Sequence, residues 1–136
     1  MKKETESKSV KQRLDEISDK YSSIGSVYCK AIRSNVIFNR HGWKHLVYKG
    51  NKQRRNKADA LLRIGAFSWV VETVKHTQTI STEIRYQRIN GRVLPVTYHE
   101  LQYTFHKKSR DVKIVVVLRQ IDDGDIHYYS VRYGKR

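Results

Sequence analysis

Four segments in the C-terminal part of the chain constrain its fold most. TQTISTEIRYQ (77–87), VTYHELQYTFHK (96–107), VKIVVVLRQ (112–120) and IHYYSVRY (126–133) are rich in β-branched and aromatic residues. Such side chains suit a pleated, half-buried surface. Gly91 and Pro95 punctuate the first gap, and Lys107 to Asp111 the second. DDGD (122–125) joins the last two segments, and Asp-Gly between strand-like runs is a strong hairpin signal. The region therefore reads as a meander of four antiparallel strands.

What precedes it is different. VYCKAI and NVIFN, from Val27 onward, read as short strands. A helix follows from about Arg40, with Gly42 weakening its start. The basic loop GNKQRRNK leads into a second helix with an apolar stripe of Ala58, Leu61 and Leu62. Gly65 is expected to break it, and Phe67, Val70, Val71 and Val74 mark a third helix. Helices first and strands afterwards predict an α+β fold, with N-terminal helices packed on a four-stranded antiparallel sheet. Residues 1–26 stand apart: acids and bases nearly balance, and Val10, Leu14, Ile17 and Tyr21 recur at helical spacing. The expected organisation is an amphipathic helical extension and linker over 1–26, then one α+β domain over 27–136.

Charge narrows the partners. The formal net charge is +15. Between Arg33 and Lys57 eight cations occur with no acid between them. Neutralising phosphates releases counterions, so RNA or DNA is the favoured class of partner. Nine tyrosines, mostly on the strand-like segments, favour RNA, because tyrosines on a sheet face stack unpaired bases. The same tyrosines also suit half-buried core positions. Lys44, Lys52, Arg54, Arg55, Lys57 and Arg132 are the candidate RNA-binding residues. An acidic protein, such as an immunity protein or antitoxin, would complement the same charge.

The N-terminus lacks the apolar stretch of a secretory signal, and no run of 18 apolar residues exists. The expectation is a soluble protein without a membrane partner, acting in the cytoplasm or delivered into that of a target cell. Cys29, the single cysteine, excludes an internal disulfide and a thiolate zinc site.

Six histidines remain to be explained. His41 and His45 have the spacing of a zinc-binding helix, but no glutamate lies between them and no carboxylate stands nearby. No metal and no small-molecule cofactor is expected. The metal-free alternative is ribonuclease chemistry. RNA supplies its own 2′-hydroxyl nucleophile; the enzyme needs a base, an acid, and cations around the phosphorane. His45 is the candidate base, and Lys49 and Arg119 the candidate cations. If the last hairpin closes evenly about Asp123 and Gly124, Arg119 faces Tyr128 and Val117 faces Ser130. Alternation then puts Arg119, Tyr128, Ser130 and Arg132 on one side. A bulged turn would shift the register by one and bring His127, a candidate acid, toward Arg119. The sequence leaves both registers open.

Three stretches, NVIFNRHGWKHLVYKG, the basic run into ALLRIGAFSWVVETVK, and VKIVVVLRQIDDGDIHYYSV, together resemble the phage-associated barnase–EndoU–colicin–RelE-like nucleases. The resemblance covers roughly Asn35 to Tyr133 and implies a metal-independent endoribonuclease used as a toxin or effector. It also implies that His45 opens the site and that Arg119 and Ser130 are polar positions on its terminal strands. No barnase-like glutamate base is evident; Glu100 lies on a strand without an obvious partner. Two other readings use the same features: a non-catalytic basic RNA-binding module, and a structural protein of a phage or mobile element.

Overall fold

The computed structural model describes residues 10–49, 53–54 and 57–134. Helix α1 (Val10–Ile24) precedes a short hairpin, β1 (Ser26–Cys29) and β2 (Ser34–Ile37). Helix α2 (Arg40–Val47) leads into a two-stranded ribbon, β3 (Tyr48–Lys49) and β4 (Gln53–Arg54). Helices α3 (Lys57–Phe67) and α4 (Val70–Lys75) follow. Strands β5 (Thr79–Ile89), β6 (Arg92–His106), β7 (Asp111–Ile121) and β8 (Ile126–Tyr133) complete the chain.

The α+β class and the four-strand meander are both present, but the sheet is larger and mixed. Six strands run in the order β1-β2-β8-β7-β6-β5. The N-terminal hairpin joins the meander through one parallel pairing, Ile37 with His127. That contact spans most of the chain, and hydrophobic alternation carries no information about such distant partners. The ribbon β3–β4 forms where a loop was expected, pairing Tyr48 with Arg54 and Lys49 with Gln53.

Alternation along the strands divides the sheet into a covered and an open face. Ile114, Val116 and Leu118 of β7 point toward the helices and are fully buried. Tyr128 of β8 pairs with Leu118 and lies at the centre of this core. It stacks on Phe38 at 5.2 Å and meets Phe67 at 5.7 Å and Tyr21 at 6.1 Å. Aromatic rings favour such offset and edge arrangements, each adding about 0.5–1.5 kcal/mol beyond burial. Helix α1 supplies Tyr21, Ile17 and Ile24 to the core, so it packs on the domain. The Tyr21 hydroxyl donates to the Asn39 carbonyl, tying α1 to the start of α2. Cys29 is a buried core residue.

Helix α2 starts at Arg40 as expected, with Gly42 in its first turn. A β-carbon there would sit 2.7 Å from the Tyr128 carbonyl oxygen and collide with both the Tyr128 and Tyr21 side chains. Only glycine lets α2 approach β8 this closely. Gly65 does not end its helix; α3 runs on to Phe67 and the break falls at Ser68–Trp69. Leu62, expected in the apolar stripe of α3, is 60% exposed, and Ile64, Ala66 and Phe67 fill the core instead.

The last hairpin combines both registers read from the sequence. Next to the turn, Arg119 pairs with His127 and Leu118 with Tyr128. Asp122 adopts φ +53°, and Gly124 N–H donates to the Ile121 carbonyl at 2.9 Å. Beyond Leu118 the ladder shifts, and Val117 pairs with Ser130. The shift is a β-bulge that leaves Tyr129 as the extra residue. Tyr128 therefore faces the core, while His127, Tyr129, Ser130 and Arg132 belong to the open face. Among the described residues no helix is long and apolar enough to cross a membrane.

Candidate functional site

The open face carries a line of two phenols flanked by two guanidinium groups across four strands. Glu83 of β5 accepts two hydrogen bonds from Arg85, at 2.9 and 3.1 Å. This pairing holds the Glu83 carboxyl below its ordinary range and raises the Arg85 guanidinium further. The Arg85 guanidinium lies 4.9 Å from the Tyr98 ring centroid. Tyr98 of β6 meets Tyr129 of β8 edge to face at 5.7 Å, and its hydroxyl donates to Gln87 Oε1 at 3.0 Å. Arg119 of β7 completes the line, 5.1 Å from the Tyr129 centroid. Its Nε is buried and has no hydrogen-bond partner among the described residues.

A second set lies beside this line. Glu100 of β6 pairs with Val117, which pairs with Ser130, so the three share one row of the open face. Arg132 reaches across that row and donates to Glu100 Oε2 at 3.0 Å. Tyr98, Glu100, Tyr129, Ser130 and Arg132 line one shallow concavity of about 370 Å³. His127 does not line this concavity; it pairs with Arg119 on one side and with Ile37 of β2 on the other, and is only 7% exposed. The guanidinium groups of Arg85, Arg119 and Arg132 and the carboxylates of Glu83 and Glu100 thus share this part of the face. Guanidinium groups grip phosphate, and phenol rings offer stacking surfaces for unpaired bases.

The candidates named from the sequence separate as follows. Arg119, His127, Ser130 and Arg132 fall on the same face of the sheet, and Ser130 and Arg132 line its concavity. Tyr128 does not: it is fully buried on the covered face, because the turn takes the shifted register. Helix α2, which carries Lys44 and His45, packs through Gly42 onto Tyr128 on that covered face. Lys44 is exposed there. The side chains of His45, Lys49, Arg54 and Lys57 lie outside the described residues, as do Lys52 and Arg55 entirely.

Three contributors went unnamed as site residues: Glu100, Tyr98 and Arg85. Polar alternation marks Tyr98 and Glu100 as sharing one face of their strand. Assigning that face to the Arg119 side required the β6–β7 register, which the residues between Lys107 and Asp111 do not dictate.

Among the described residues no three histidine, cysteine or acidic side chains are grouped to hold a metal ion. His99 and His106 lie elsewhere. His106 Nδ1 is 2.8 Å from Asp111 at a hairpin end, and His99 Nδ1 is 2.9 Å from Thr82 Oγ1. Burial holds the His99 imidazole below its ordinary pKa. No protein-family model, curated protein or solved structure matches this chain.

Proposed function

We propose that the chain is a metal-independent endoribonuclease whose RNA lies along the open face of the sheet. The observation that carries this reading is that the strand register sets Arg119, His127, Ser130 and the Glu100–Arg132 pair on the same face of the sheet. Glu100, held by Arg132, takes the proton from the ribose 2′-hydroxyl. The freed oxygen attacks phosphorus, the bond to the 5′-oxygen breaks, and a 2′,3′-cyclic phosphate forms. His127 gives a proton to the departing 5′-oxygen. Arg119 and Arg132 offset the charge on the phosphorane, and Ser130 donates to a non-bridging oxygen. Tyr98 and Tyr129 stack the neighbouring bases. Strand spacing of about 4.8 Å and a rise of about 3.3 Å per residue put the Cα atoms of Glu100 and His127 roughly 12 Å apart. That leaves room for a phosphodiester between carboxylate and imidazole. The base role falls to Glu100 because α2, which bears His45, packs against the other face.

The test is cleavage of RNA in EDTA with cyclic-phosphate ends. Glu100→Gln should lower the rate by about 10²–10⁴-fold, the usual worth of a general base. His45→Ala should leave it within a few fold. The reverse pattern would move the site to the helical side. Intact RNA with retained binding would select a non-catalytic RNA-binding module, a reading that the burial of His127 favours. The surplus positive charge also suits an acidic immunity or antitoxin protein as inhibitor.

A further inference from the structure

Strand β5 ends the sheet, and no described residue pairs with its outer edge. It pairs with β6 without interruption from Thr79 to Ile89, with no bulge to twist the edge away. The segment TISTEIRYQRI contains neither proline nor lysine. Proteins normally blunt long edge strands by such devices, because a bare row of N–H and C=O groups is a template for another strand. This edge is also apolar on the covered side of the sheet, beyond the reach of the helices. Ile80 is 42% exposed, Ile84 58% and Tyr86 74%.

We propose that the chain forms a two-fold dimer in which β5 pairs antiparallel with β5 of a second copy, centred on Ile84. Charge complementarity selects this occupant. The strand runs from Thr79 to Ile89, so its midpoint is Ile84. Antiparallel pairing of the full strand with itself places Ile84 against Ile84 and Glu83 against Arg85 of the other copy. Two Glu83–Arg85 pairs, each already closed within its own chain, then form a ring of four alternating charges. Moving the axis to residue 83 sets glutamate against glutamate, and moving it to residue 85 sets arginine against arginine. Axes midway between residues would set residues whose N–H and C=O point outward against residues whose groups point inward, so the ladder could not form. The register with the greatest overlap is thus also the one with matched charge. On the covered side, Ile84 and Tyr86 of both copies gather about the axis. On the other side the two open faces run together across it.

Light scattering and analytical ultracentrifugation on full-length protein freed of nucleic acid test this. At physiological salt, charges further apart than about 8 Å are largely screened, which limits repulsion between two basic copies. The wild type should be dimeric. Glu83→Arg alone and Arg85→Glu alone should each weaken the dimer by about tenfold or more, since each sets like charges opposite twice per dimer. Mixing the two variants should restore dimers, because every arginine then faces a glutamate. The double variant carrying both changes should also dimerise. Restoration on mixing shows that each variant is folded. A monomeric wild type overturns the proposal, as does a dimer indifferent to both reversals. So does a monomer whose edge is taken instead by an acidic protein partner.

Discussion

At the scale of single residues, Gly42, Tyr128 and His99 give three separate expectations. Gly42→Ala forces a methyl group onto the Tyr128 carbonyl and two aromatic rings. Overpacking of this kind costs about 1–3 kcal/mol, and more where backbone is the obstacle. Urea unfolding should show a lower midpoint at unchanged slope. Tyr128→Phe retains the stacked ring and should leave RNA cleavage within a few fold of wild type, since this residue faces the core. A large loss of cleavage in a folded Tyr128→Phe variant would return the phenol to the site. His99 has a pKa depressed by burial. Its neutral form is therefore favoured by folding, and that contribution is complete above the unfolded value of about 6.5. It declines as pH falls below that value toward and through the folded pKa. His99→Gln should flatten this part of the stability profile in pH-dependent urea titrations. The site residues show where reading the sequence stops. Arg119, His127, Ser130 and Arg132 were visible as donors, but placing Tyr128 beside them depended on a register one residue away from the real one.

At the scale of elements, α1 is expected to be indispensable. Its Tyr21 lies among Phe38, Trp43, Phe67 and Tyr128. Tyr21→Ala should cost about 3–5 kcal/mol, as for other large-to-small aromatic changes in cores. Removal of residues 1–24 should leave a chain without a cooperative thermal transition; a sharp transition would show that α1 is an accessory. Local signals were good at finding the elements. The β-branched runs located β5 to β8, and helical spacing located the apolar side of α1. They failed where a decision depended on distant contacts. Nothing near Ile37 announces a parallel neighbour at His127, so the N-terminal hairpin could not be joined to the meander. Glycine was read as a breaker at Gly65 and as a weak point in the start of α2 at Gly42, whereas at Gly42 it answers a close helix–strand approach that only the assembled core reveals.

At the scale of the whole molecule, the net charge of +15 and the open sheet face make one shared prediction. Binding of single-stranded RNA should weaken steeply with salt, and the logarithmic slope should fall by about 0.7 for each phosphate contact removed. Arg119→Ala and Arg132→Ala, measured by fluorescence anisotropy across a salt series, should each reduce that slope. A slope untouched by both changes would place the polyanion elsewhere, with the basic run of 33–57 as the next surface to examine. The bulge in the last strand has a consequence for how this ribbon tolerates changes of length. Tyr129 and Ser130 share an outward orientation, so excising position 129 would leave serine 130 still outside and valine 131 still inside. A one-residue excision further along, at position 131, would turn the tail inside out. The final ribbon therefore has two adjacent positions, 129 and 130, at either of which a codon can vanish without scrambling polarity.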